Sequence, residues 1–160
     1  MKIFGKPAAE YIRLQIPFLV LIAAVGLLRL GLSVAGVADP VVRWLSLTAL
    51  LPIGTVYAAV RVHTTGFGGY RHLLPVVFFQ ILTAQIIIIA GIAIAIITQR
   101  GNVFTRVENV LPAADPGGVG IGANWGHAGL HVFAIIFLSL VLWGLGSLVL
   151  LSVRRLKPVH

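Results

Sequence analysis

The chain has 160 residues, of which 59% are hydrophobic and only 10% charged, with a formal net charge of +8 and no cysteine. Soluble domains carry about 25% charged residues, so this composition describes a chain whose main solvent is lipid. The missing cysteines exclude disulfides, thiolate catalysis, iron–sulfur clusters and cysteine-ligated zinc, and the Lys and Arg excess sits at the ends of apolar runs rather than in any nucleic-acid motif.

Four apolar runs, roughly 14–37, 41–61, 73–100 and 126–153, each meet the ~20 residues that a helix needs to cross a bilayer. They predict one all-α integral membrane domain over 1–160, with four transmembrane helices in an antiparallel up-down bundle. The first run follows Lys2 and Lys6, and Ser33-Val34-Ala35 resembles a cleavage site. Its length and the presence of Arg29 argue for a retained span rather than a signal peptide. Asp39-Pro40 offers a cap acceptor and a first-turn proline to open the second helix. The link before it is so short that helices 1 and 2 must be antiparallel neighbours. Pro52, with Gly54 and Thr55 close behind, predicts a kink whose freed carbonyls need a donor, from Tyr57 or from a glutamine of the third helix.

The link HTTGFGGYRH (63–72) is glycine-rich but lacks the lysine and the preceding strand of a phosphate loop. Phe67 and Tyr70 beside Arg71 suit an interfacial aromatic belt. The third run carries a stripe of polar and small residues, Gln80, Ala84, Gly91 and Ala95, with Thr83 and Gln85 nearby. Small residues let helices approach closely and buried glutamines bond across the interface, so this stripe reads as packing. Gly101 after Arg100 predicts the helix stop. In the link of about residues 101–125, the first half, NVFTRVENV, is predicted to lie on the membrane surface or against a partner, and the glycine-rich second half to be irregular. Asn124 is the expected N-cap of the fourth helix, which Arg154, Arg155 and Lys157 close with charges that suit its dipole.

Orientation follows from where the cations fall. Lys2, Lys6, Arg13, Arg61, Arg71, Arg154, Arg155 and Lys157 share one side, and Arg43, Arg100 and Arg106 the other. That bias places both termini in the cytoplasm and residues 101–125 outside, in a bacterial cytoplasmic (inner) membrane.

The stretch NWGHAGLH (124–131) holds the main site candidates. His127 and His131 are four apart and share one helix face, a spacing able to hold a divalent metal. Zinc needs three or four ligands, so Glu108 or Asp115 would have to join them. Bacteriochlorophyll is a second candidate, with Ala123 one turn before His127 leaving room for the ring. Haem is argued against, because His63 and His72 lie at the opposite end from His127 and His131 and form no facing pair. A quinone is the third candidate: Asn124, Trp125, His127 and His131 with Arg29 beneath. Arg29 lies inside the first apolar run, where an arginine is a functional-site hypothesis by default.

The rest is read from what is missing. No apolar run contains Asp, Glu or Lys, so a carboxylate-driven cation exporter and a retinal Schiff base both lack parts. No Ser-His-Asp set or carboxylate pair suggests an enzyme. The leading expectation is a non-catalytic accessory or structural transmembrane subunit of a larger membrane complex. Its partners would be the lipid bilayer and other transmembrane subunits or further copies of itself, with no nucleic acid. The alternative is a quinone-, pigment- or metal-binding membrane protein with its site at the outer end of helix 4. A small dimeric transporter is the further alternative.

Overall fold

The computed structural model describes residues 2–37, 42, 44–105 and 125–155. A short antiparallel hairpin, β1 (Lys2–Ile3) and β2 (Lys6–Pro7), precedes four helices: α1 (Ala8–Val34), α2 (Leu47–Thr64), α3 (Tyr70–Thr98) and α4 (Trp125–Arg155). The fold is all-helical in its mass. α1, α3 and α4, of 27, 29 and 31 residues, are long and apolar enough to cross a membrane. α2 is shorter, at 18 residues, or about 27 Å at 1.5 Å per residue.

The helix boundaries have local causes. Pro7 stands extended before α1 (φ −60°, ψ 145°), and the hairpin ends against it, so α1 begins at Ala8 rather than near residue 14. The hairpin itself leaves no familiar trace in the sequence. Its two-residue turn puts Phe4 (φ 47°) and Gly5 (φ 86°) in the left-handed region, a geometry usually marked by Asn-Gly. It is tied down by Tyr11, whose hydroxyl donates to the Ile3 carbonyl at 2.7 Å, and by Lys6, which lies 4.6 Å from the Phe67 ring centroid.

α2 opens at Leu47 because the Ser46 hydroxyl accepts from the Ala49 N–H at 3.2 Å. The expected opening at Asp39-Pro40 lies outside the described residues. α3 ends at Thr98, and the left-handed position after it is filled by Gln99 (φ 54°, ψ 32°), not by Gly101. The Gln99 side-chain amide donates to the Ile96 carbonyl at 2.7 Å, satisfying one of the last carbonyls that a glycine stop would leave to water.

α3 packs against each of the other three helices, and both α1 and α4 also meet α2. Deep between α1, α2 and α3 lies a buried polar clasp. The Gln80 side-chain amide donates to Gln15 Oε1 at 2.9 Å and to the Gly54 carbonyl at 3.1 Å. Gln15 in turn donates to the Val76 carbonyl at 2.9 Å. The glutamine of the third helix thus reaches α2 just beyond Pro52, while Tyr57 instead stacks on Phe18 at 5.5 Å. Gly54 has to be glycine here, because a Cβ would overlap both Phe18 and Gln80. At the far end of α4, Trp143 donates to the Tyr70 carbonyl at 2.8 Å, and Arg154 donates to the Gly68 carbonyl at 3.2 Å.

Candidate functional site

Arg29 is placed in α1 five residues before its end, roughly 7 Å from it along the axis. The residues one turn either side, Gly26 and Ser33, are buried, so this face of α1 looks into the bundle. Gly26 lets α3 approach closely: a Cβ there would come within 3.0 Å of Ile87. Ser33 accepts from the Val103 N–H at 2.8 Å.

That bond belongs to a turn over residues 102–105. The sequence points these residues to the membrane surface or to a partner; all four are buried instead. Asn102 is the organiser. Its side-chain amide donates to the Gly91 carbonyl at 2.6 Å, and its Oδ1 accepts from the Phe104 N–H at 2.9 Å. Its own N–H donates to the Thr105 hydroxyl at 2.9 Å. Five polar groups that would be costly in lipid are thereby paired within one tight turn. The turn seats the Phe104 ring over Gly91, where any Cβ would strike it. The Arg29 guanidinium lies 5.6 Å from the same ring's centroid, within reach of a cation–π contact.

Arg29, Phe104, Leu47, Thr48, Ile88 and His131 line one cavity of about 170 Å³. The Arg29 Nε is buried and has no hydrogen-bond partner. Glu10 is the one acidic side chain among the described residues, and it bonds Lys6 at the start of α1. No protein carboxylate described here therefore neutralises Arg29.

Behind the cavity wall, His131 is held on both sides. Its Nδ1 lies 2.7 Å from Gln85 Oε1, and its Nε2 lies 3.1 Å from Nε2 of His127. With the Gln85 oxygen accepting, the His131 Nδ1 carries a proton and donates to it. A second hydrogen bond joins the two Nε2 atoms, one donating and the other accepting according to the tautomers. His127 is buried, at 8% exposure. The two Nε2 atoms also converge as two ligands of one metal would. At the tetrahedral angle and about 2.0–2.1 Å from zinc, they would stand about 3.3 Å apart. Among the described residues no third His, Asp or Glu joins them to complete a metal site. Glu108 and Asp115, the expected further ligands, lie outside the described residues, as do Asn124 and Ala123.

The structure thus brings together Arg29, His131 and His127, the last through His131. It does not bring in Trp125, which is 64% exposed at the start of α4. Phe104, Thr48 and Gln85 complete the site. Gly91 is the residue whose type signals the close approach: it admits the Phe104 ring rather than a neighbouring helix alone. Compared with protein-family models, with curated proteins and with solved structures, the chain matches none, so the site stands on its geometry.

Proposed function

We propose that this is a ligand-binding integral membrane protein whose cavity takes a small oxygen-bearing head group of the quinone type. The observation that carries the reading is the buried, unpaired Nε of Arg29 beside a cavity of about 170 Å³. A buried N–H donor with no acceptor is costly, and a bound oxygen would complete it. Arg29 would donate to one carbonyl of the ligand, and Thr48, which lines the same cavity, would offer a hydroxyl for another. Phe104 gives a flat wall for a ring. His131, with both nitrogens engaged, shapes and polarises the cavity rather than donating to the ligand directly.

In this reading all four helices cross the bilayer in alternating directions, with both termini cytoplasmic. Two observations support it. Lys and Arg are concentrated in the segments at the opposite end from the cavity. The late part of α1, the opening of α2, the late part of α3 and the opening of α4 all contribute to one cavity. The site then lies toward the outer leaflet.

The test is binding of a short-chain quinone to the purified protein in a neutral-lipid nanodisc. The native chain is expected to bind saturably, and Arg29→Gln to weaken binding by about tenfold or more, the worth of one hydrogen bond to a charged donor. Arg29→Gln should leave thermal stability unchanged or raised, because it removes a buried, unpaired donor. A native chain that does not bind, or a variant that binds as well, overturns the reading.

A second reading, an accessory subunit of a larger complex, draws on the outward face of α4. Phe133, Ile136, Phe137, Leu140, Val141 and Leu148 are all exposed there. The native mass in mild detergent separates the two: stoichiometric partners support the subunit role, and one or two copies of a 17.0 kDa chain exclude it.

A further inference from the structure

At the opposite end of the bundle a second cavity, of about 350 Å³, opens between the N-terminal hairpin, α3 and α4. Ile3 and Phe4 of the hairpin cap it, Leu74 and Phe78 form one wall, and Ile136 and Leu140 form the other. Its walls are hydrocarbon and aromatic; Phe4 is exposed at the hairpin turn, and Ile136 and Leu140 are exposed on α4, which is long and apolar enough to cross a membrane. An acyl chain is the apolar rod that fits between two such helices.

The charge above the groove says which lipid. Arg71, Leu74, Pro75 and Phe78 recur at helical spacing along one face of α3, so Arg71 stands directly over the groove. Arg71 is exposed, and no described residue bonds it. Its cationic neighbours are already engaged: Lys6 with Glu10 and the Phe67 ring, and Arg154 with the Gly68 carbonyl and the Tyr70 ring. Lys2, adjoining Ile3 in the hairpin, is likewise exposed, and no described residue bonds its side chain. Arg71 is also the second residue of α3, where the Gly69 amide donates to His72 Nδ1 and the His72 amide to the Gly69 carbonyl, which leaves the Tyr70 and Arg71 amides to face a ligand. A cation, helix-end amides and an apolar channel one turn below them match a phosphate and the chain it carries.

We infer that this groove is a specific site for one anionic phospholipid, with its phosphate on Arg71 and Lys2 and an acyl chain between α3 and α4. The site is independent of the Arg29 cavity and lies on the face that carries the hairpin.

The experiment is native mass spectrometry of the full chain, released from nanodiscs of phosphatidylcholine doped with phosphatidylglycerol. One phosphatidylglycerol is expected to stay bound at activation energies that strip phosphatidylcholine. Arg71→Gln should cut its retention about fivefold, the worth of one juxtamembrane cation. Leu140→Trp, which fills the groove and leaves every charge in place, should cut it as well. Arg61→Gln removes an exposed cation from the last turn of α2 and should change nothing. Equal losses in Arg71→Gln and Arg61→Gln would mean diffuse surface attraction and overturn the site. So would full retention in Leu140→Trp, or no preference for phosphatidylglycerol in the native chain. Melting of each variant in pure phosphatidylcholine checks that the fold is intact.

Discussion

Gln80 shows how much one side chain carries in this molecule. Its amide holds Gln15 of α1 and the Gly54 carbonyl of α2 at once. Gln80→Leu leaves the Gln15 oxygen without its donor in an interior that offers no water. Interhelical hydrogen bonds in membranes average about 0.6 kcal/mol and reach about 1.7, so the loss of two should cost about 1–3 kcal/mol. Unfolding in mixed micelles measures it, and an unchanged midpoint would refute the clasp. Gln85 makes a different kind of prediction. Its oxygen fixes the proton of His131 on Nδ1, so nitrogen-15 spectra of the native protein should show that tautomer, and Gln85→Leu should show a mixture. A native His131 protonated on Nε2 and bare at Nδ1 would refute the hydrogen bond to Gln85. The individual site residues were legible in the sequence, since Arg29, His127 and His131 stand out against apolar surroundings. Their meeting was not. Arg29 and His131 meet across packed helices, and Phe104 joins them because Asn102 turns back to a carbonyl eleven residues earlier; no local pattern encodes either.

Among the elements, the three long helices were legible from length and hydropathy alone, because a span of apolar residues in lipid has one stable backbone solution. The ends were less legible, because each is set by a side chain choosing between neighbouring carbonyls and amides. Gln99 is the sharpest case. It occupies a left-handed conformation that costs a non-glycine residue about 1 kcal/mol, and its own amide bond to Ile96 offsets part of this. Gln99→Gly should therefore be neutral or slightly stabilising, and Gln99→Val clearly destabilising, in thermal melts. The opposite order would place the cap elsewhere. The hairpin was invisible to pattern reading for a related reason: Phe4 takes a turn position that Asn normally fills. Gly5→Ala, at φ 86°, should loosen it and release the Phe4 side chain from its edge contact with His72 at 6.2 Å. Amide exchange at β2 would report this.

For the molecule as a whole, the absence of cysteine makes topology directly measurable. A single Lys2→Cys should react with a membrane-impermeant maleimide only after permeabilisation, and Gly101→Cys should react without it. The reverse pattern would invert the proposed orientation and put the Arg29 cavity toward the cytoplasm. The pattern of packing also has a consequence for how the chain is made. Both hydrogen bonds of Gln15 run to α3, at Val76 and Gln80, so neither exists before α3 is made. While α1 and α2 leave the ribosome, an amide in the first span has no lasting partner. It is therefore α3 that converts two inserted segments into a folded bundle. A nascent chain stopped before Tyr70 should stay associated with the insertion machinery or with a chaperone in the bilayer, and one extended past Thr98 should let go.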